Sequence, residues 1–277
     1  MGLWKKISDR LLGYESSREF SVPQNSTIVL THDSGFFSNC SVLLKALAAS
    51  PVHPVTIDAA KSFRHFTNKG EDFNWYRFFR PAPPAIDAES SSWRLSRVAS
   101  RLPHHSVYRL LDYPTSNALV LNYFSPSEEI RQRAEEILST MLPVPLEKIL
   151  VLCIRGTDKQ TEVRQTSLHR YVRKAKTALS RRKDLAVWVQ SDQEQIRDYL
   201  LEKLGSRAFS VDVLPVTGDS TVIHRTTLVH DKNEFALNLL ATTWLMSQAS
   251  KVITYTGNVG YWIALFRGHS RGLIQLR

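Results

Sequence analysis

Apolar and polar positions fall into blocks whose periods change along the chain. Residues 26–31 (Ser-Thr-Ile-Val-Leu-Thr) are β-branched and apolar and predict a strand. Residues 32–39 are small and polar and predict a loop, and 40–49 has the apolar spacing of a helix that Pro51 stops. Residues 54–58 supply a candidate second strand. Residues 127–141 predict a further helix. Ser127 is a suitable N-cap, Glu128 and Glu129 suit the first turn, and Ile130, Ala134, Ile137 and Leu138 share one face.

The second half alternates more regularly. Residues 148–154 are almost unbroken apolar, as in a strand covered on both faces of a parallel sheet. A basic helix (168–179), a strand (185–190), a helix (193–204) and a strand (208–214) follow. An apolar helix (235–249), a strand (251–255) and a last helix (260–266) complete the series. Alternating β and α elements imply doubly wound parallel sheets. The fold class is therefore α/β, with two Rossmann-like domains split at the Pro143–Pro145 break into 1–145 and 146–277. Residues 60–105 resist assignment. They are dense in aromatics (Phe63, Phe66, Phe73, Trp75, Tyr76, Phe78, Phe79, Trp93), which suit either a sugar or base platform or a core under irregular loops.

Composition narrows the classes. The 277 residues are 43% hydrophobic, enough for a packed core and against disorder. The net charge of +10 favours anionic partners without choosing among nucleic acid, acidic lipid and phosphorylated small molecules. The two cysteines, Cys40 and Cys153, lie in apolar or small-residue stretches and are expected as buried thiols. No Cys or His pair has metal-ligand spacing, so no metal site is expected. Residues 3–12 form a basic amphipathic helix candidate, either lying on an anionic membrane surface or packing on its own domain. Without a secretory apolar core in 1–14, a cytoplasmic location is expected.

The candidate chemistry concentrates at 149–162. A buried strand ends and a charged loop begins at once, where open α/β sheets bind ligands. Arg155 offers a bidentate fork for phosphate oxygens, Lys159 a second positive charge, and Asp158 or Glu162 an orienting carboxylate or an acceptor for a sugar hydroxyl. The stretch lacks P-loop glycine spacing. A structural ion-pair network is the bland alternative. No Asp-x-Asp pair occurs in the chain.

Residues 151–162 resemble the donor-binding motif of the α-1,6-fucosyltransferase and nodulation-fucosyltransferase families: a hydrophobic strand, then His-x-Arg-Arg-x-Asp-Lys and an acidic residue. Arg155, Asp158 and Lys159 match. Cys153 stands at the His, Gly156 at the second Arg, and Glu162 matches the acid with one residue deleted. Residues 187–192, ending in Ser191-Asp192, resemble the family's Ser/Thr-Asp strand. Residues 245–258 resemble its closing helix and strand, with Ser250 in place of an Asp and Gly257-Asn258 in place of serines. Residues 34–39 are similar to its glycine-containing first loop.

The resemblance implies a GT-B architecture with a cleft between the domains, the N-terminal one facing the acceptor and the C-terminal one the donor. It implies inverting, metal-independent transfer of fucose from GDP-fucose to a glycan hydroxyl, with no cofactor besides the GDP-sugar. On that reading Arg155, Asp158 and Glu162 are the catalytic candidates. Gly35, Arg155, Lys159, Ser191, Asp192, Thr256, Gly257 and Asn258 are the donor-binding candidates. Asp33 and Glu234 are further candidates for the base, and His32, His224 and His230 for loop contacts. The partners are a nucleotide sugar and a glycan acceptor, with no nucleic acid expected. Two alternatives stand beside it: a degenerate transferase that binds sugar nucleotide or glycan without turnover, and a basic nucleic-acid-binding α/β protein.

Overall fold

The computed structural model describes residues 20–21, 27–50, 54–82, 106–156, 166–218, 223 and 229–277. The candidate membrane-surface helix at 3–12, and with it Trp93, lies outside these residues. Among the described residues no helix is long and apolar enough to cross a membrane.

The first unit is small. Strand β1 (Phe20–Ser21) runs antiparallel to β2 (Thr27–Leu30). Helix α1 (Phe36–Ala49) then returns the chain to β3 (Thr56–Asp58), which pairs parallel with β2 in the register Ile28↔Ile57. Helix α1 is buried nearly all round, with Phe36, Cys40, Leu43, Leu44 and Leu47 at the i, i+4, i+7, i+8, i+11 positions of its apolar side.

The aromatic segment resolves into core. Phe63, Phe66, Phe73, Trp75, Phe78 and Phe79 are all buried. Phe36 sits among them, edge-on to Phe63 at 5.2 Å and to Phe66 at 5.4 Å. Phe63 adopts a left-handed backbone (φ 60°), a conformation that costs a non-glycine residue about 1–2 kcal/mol. Its ring stacks on Phe73 at 4.2 Å, and aromatic pairs return about 0.5–1.5 kcal/mol each beyond area burial. A short helix, α2 (Trp75–Phe78), lies within this cluster.

Helix α3 (Tyr113–Tyr123) was not expected from the sequence. Asp112 caps it by accepting from the Thr115 N–H and hydroxyl. It buries Thr115 and Ser116 while Leu121 stays 68% exposed, so no apolar stripe marks it. Helix α4 (Glu128–Met141) forms as expected, with the Ser127 hydroxyl accepting from the Ile130 N–H.

The second unit is a five-stranded parallel sheet. Its elements are β4 (Ile149–Ile154), α5 (Leu168–Arg181), β5 (Ala186–Ser191), α6 (Glu194–Leu204), β6 (Ala208–Phe209), α7 (Lys232–Gln248), β7 (Lys251–Tyr255), α8 (Asn258–Arg267) and β8 (Leu273–Leu276). The spatial order is β6-β5-β4-β7-β8. Chain direction across the sheet therefore reverses beside β4, and β4 is buried along all six residues.

Three expectations need correction: the helix expected from 40 begins at Phe36, inside the loop foreseen at 32–39, and two more concern the large sheet. The strand foreseen at 208–214 is only Ala208–Phe209, because the Ser210 hydroxyl turns to the Asp212 carboxylate at 3.3 Å and the chain bends. The edge resumes only as a single bridge, Gln193↔Thr217. The apolar helix starts one turn earlier than its hydrophobic pattern, since the Asp231 carboxylate accepts from the Glu234 N–H.

The two units are joined by packing. Helix α4 lies along α7, with Arg133 and Glu234 paired at 2.7 Å. Helix α8 meets α1, where the Trp262 indole N–H reaches the Phe37 carbonyl and the Ser41 hydroxyl, both at 3.0 Å.

Candidate functional site

The switch beside β4 opens a cleft between α1 and the carboxyl ends of the large sheet. The cleft has a cavity volume of about 130 Å³. Gly35, Phe36, Phe37 and Ser38 line it from the start of α1. Cys153, Ile154 and Arg155 line it from the end of β4, and Gln190, Ser191 and Asp192 from the end of β5. Asn258 and Val259 open α8 into it, and Phe235, Leu239, Thr243 and Met246 present one face of α7.

Asp192 organises the β4 end. One carboxylate oxygen accepts the Gly156 N–H at 2.7 Å, and the other lies 3.5 Å from Arg155 Nε. Both side chains are 21% exposed, so the pair is only partly screened. A Cβ at Gly156 would meet the ends of the Gln193 and Ile196 side chains, which would have to move aside to admit it. The Ser191 hydroxyl accepts from the Gln193 N–H at 3.2 Å.

The opposite wall is pinned from beneath. The Tyr108 hydroxyl donates to the Gly257 carbonyl at 2.9 Å and accepts the Gly257 N–H at 3.0 Å. Gln275 donates to the Thr256 hydroxyl at 2.9 Å and accepts the Tyr108 N–H at 3.0 Å. The Asn258 side chain lies 3.2 Å from the Ser41 hydroxyl, which sets the start of α8 beside α1. Helices α1 and α8 thus both begin at the cleft, and neither has a side-chain cap. First-turn N–H groups without intrahelical partners, together with the helix dipole, favour an anion there. Arg155, at the end of β4, lines the same cleft as these two helix starts.

The candidate residues divide clearly. Gly35, Arg155, Ser191, Asp192 and Asn258 come together on the cleft wall. Gly35 has φ −61° and ψ 148°, open to any residue, so its backbone conformation does not demand glycine. Thr256 is buried and bound to Gln275, and Gly257 is bound to Tyr108, so both support the wall from behind. Asp158, Lys159 and Glu162 lie outside the described residues, as does His224.

Asp33 is held by Arg64, through the backbone N–H at 3.1 Å and Nε at 2.8 Å. Glu234 is held by Arg133. His32 shares a hydrogen bond with Ser38 at 3.2 Å, and burial lowers its pKa. His230 is exposed. Both cysteines are free and buried. Burial pushes the Cys153 thiol up to about 12, so it lines the cleft as a protonated group.

The sequence reading passes over Gln190 and the α7 face. The spacing 235, 239, 243, 246 reads equally well as ordinary core. The signal for Gln190 was a polar residue inside an otherwise apolar strand.

No protein-family model matches the chain, and neither does any curated protein sequence. Comparison with solved structures does find matches. A crystal structure of the NodZ α-1,6-fucosyltransferase soaked with GDP-fucose superposes with a TM-score of 0.54, at 15% identity, over 88% of this chain and 93% of that one. The fold is NodZ-like. A second crystal structure, of NodZ co-crystallised with GDP, gives a TM-score of 0.52 at 15% identity over 87% and 92% of the two chains. The likeness is one of architecture: a GT-B-like α/β arrangement, with the five-stranded parallel sheet as its clearest component.

Proposed function

We propose that this chain is a glycosyltransferase whose cleft binds a nucleoside diphosphate sugar, GDP-fucose being the donor favoured by the NodZ-like fold and by the motif around Arg155. The observation that carries the reading is the convergence of Arg155 with the starts of α1 and α8 at the switch beside β4. A diphosphate leaving group needs stabilisation of the charge that grows on it. A guanidinium fork and two helix N-termini supply this from fixed positions.

In the proposed inverting step, the acceptor hydroxyl oxygen forms a bond to the anomeric carbon as the bond from that carbon to the β-phosphate oxygen breaks. GDP leaves with the electron pair, and the acceptor proton passes to a carboxylate. Asp158 and Glu162 are the candidates for that carboxylate. Asp192, the carboxylate of the described lining, is already engaged by Gly156 and Arg155.

That engagement of Asp192 also favours a second reading, a fold that binds sugar nucleotide without turnover. The two separate in one experiment. Thermal midpoints are measured with GDP-fucose, GDP, GDP-mannose and UDP-sugars for wild type and Arg155→Ala, and GDP release from GDP-fucose is followed with candidate acceptor glycans. A ligand that binds only the native state raises the midpoint. A shift lost in Arg155→Ala, together with acceptor-dependent release of GDP, supports the transferase. A shift without release supports the binding protein. No shift with any nucleotide sugar sinks both.

A further inference from the structure

Helix α5 packs on the sheet by one side only. Tyr171, Val172, Ala175, Ala178 and Leu179 are buried and share about 120° of helical arc. The other side faces outward. It carries His169, Arg170, Arg173, Lys174, Lys176 and Arg181, all exposed, on a continuous arc of about 160°. Thr177 and Ser180 complete that arc, and α5 contains neither Asp nor Glu. From Arg170 to Arg181 the row is about 17 Å long.

This pattern works against the helix itself. His169 and Arg170 stand in the first turn, where the helix dipole disfavours positive charge. Arg170 is three and four residues from Arg173 and Lys174, and Arg173 is three from Lys176, spacings at which like charges repel. Arg173, Lys174, Lys176 and Arg181 make no ion pair with a carboxylate of the described residues. Other exposed helices are built differently. On α6, Arg197 pairs with Asp198 at 2.8 Å and Lys203 with Glu202 at 2.6 Å. On α4, Arg133 lies 3.5 Å from Glu136. A one-sign row that costs its own helix, with no acid to offset it, fits an anionic partner.

We propose that this face of α5 docks on an anionic phospholipid surface, held by charge and without insertion of the helix. The apolar side of α5 is already spent on the sheet, so the cations are what it offers outward. Each Lys or Arg close to an anionic bilayer contributes about five-fold in binding. Beside the helix, Leu276 of the edge strand β8 joins the same core cluster as Tyr171 and Val172. Ile274, two residues earlier and so on the same face, is exposed, an aliphatic group that the acyl boundary of a bilayer accommodates. The arc has no Asn or Gln to read base edges and no exposed aromatic ring on which bases could stack, which disfavours a nucleic acid. This docking is independent of the sugar-nucleotide reading, because no residue of the face lines the cleft.

Co-sedimentation of the full chain with vesicles tests the assignment. One set holds phosphatidylglycerol and phosphatidylcholine in equal parts, the other phosphatidylcholine alone, each at about 0.05 M and 0.3 M salt. Two variants of equal charge are compared. One is Arg173→Gln/Lys174→Gln/Lys176→Gln. The control is Lys61→Gln/Lys69→Gln/Arg80→Gln, three exposed cations outside α5. Wild type is expected to pellet with the phosphatidylglycerol vesicles at the lower salt and to be released at the higher. The α5 variant should bind roughly a hundred-fold more weakly, with an unchanged urea midpoint, and the control should stay within about five-fold of wild type. Exchanging one cation for the other (Arg173→Lys/Lys174→Arg/Lys176→Arg) should keep wild-type binding. Failure of wild type to bind the anionic vesicles, or equal binding to phosphatidylcholine alone, overturns the proposal. Equal losses in the α5 variant and the control overturn the role of α5 and leave only net charge. Fluorescence anisotropy with RNA and duplex DNA oligonucleotides supplies the remaining arm. Nucleic-acid binding that is lost in the α5 variant, while vesicle binding is not, overturns the phospholipid assignment.

Discussion

Replacing Tyr108 by Phe removes one oxygen, and its consequences can be worked from the contacts. Tyr108 is fully buried. Its hydroxyl serves Gly257 twice, donating to the carbonyl at 2.9 Å and accepting the N–H at 3.0 Å. The Gly257 carbonyl keeps a second partner, the Tyr261 N–H at 2.9 Å. Losing the donated bond there costs about 0.5–1.5 kcal/mol, the net worth of an ordinary hydrogen bond. The Gly257 N–H fares worse, because an orphaned buried donor costs about 1–3 kcal/mol. The sum is about 1.5–4.5 kcal/mol. Burial also drives the phenol well above its ordinary titration range, so the donor persists to alkaline pH. Urea unfolding followed by circular dichroism should show a lower midpoint with an unchanged slope. The start of α8 is held by the same contact, so on the proposed reading GDP affinity should fall alongside. A stability change below about 0.5 kcal/mol would refute the reasoning, since it would mean that the hydroxyl does not satisfy Gly257.

Three further outcomes are expected. Gly260→Ala should destabilise by about 1–2 kcal/mol in a thermal melt despite the roughly 1 kcal/mol helix-propensity gain. Its new Cβ would meet the Tyr255 carbonyl oxygen at 2.6 Å, an atom of the backbone, and a rise in midpoint would show that α8 moves freely. Iodoacetamide at pH 8 should label neither Cys40 nor Cys153 until denaturant is added, because burial raises both thiols far above that pH; modification of the native chain counts against the packing described. His32 is lowered by burial, with Asp33 opposing and Lys45 assisting. Its contribution to stability is therefore complete above the ordinary imidazole value of 6.5 and is lost as pH falls from there through the folded-state value. His32→Gln should flatten the dependence of the urea midpoint on pH in that window, and an unchanged slope would exclude it.

How much of this was legible depended on what each element needs from its own residues. The buried strand at 149–154 announces itself because both faces are covered and every position must be apolar. Helix α4 announces itself through Ser127 and a clean stripe. Helix α3 does not, because it buries Thr115 and Ser116 and exposes Leu121. The false extension of β6 came from Phe209, Val211 and Val213, whose alternation is genuine but loses to the Ser210–Asp212 contact. In the site, Arg155 and Asp192 were visible as charges beside strand ends, whereas Tyr108, remote in sequence from Gly257, was not.

Gly156 explains why a reading by charges captures only part of the cleft. In the resembled motif its place belongs to a second arginine, but here the Gln193 and Ile196 side chains occupy the space above the Cα. Among the described residues one guanidinium, Arg155, lines the cleft, and Asp192 partly offsets its charge at 3.5 Å. On the proposed reading a diphosphate must then draw much of its stabilisation from the starts of α1 and α8, each worth roughly half a positive charge. Those charges belong to the peptide backbone and have no residue code. They become visible only when Tyr108 and Asn258 are seen beside α8 and α1, so on the proposed reading the fold itself, together with Arg155, forms the anion-facing part of the described site.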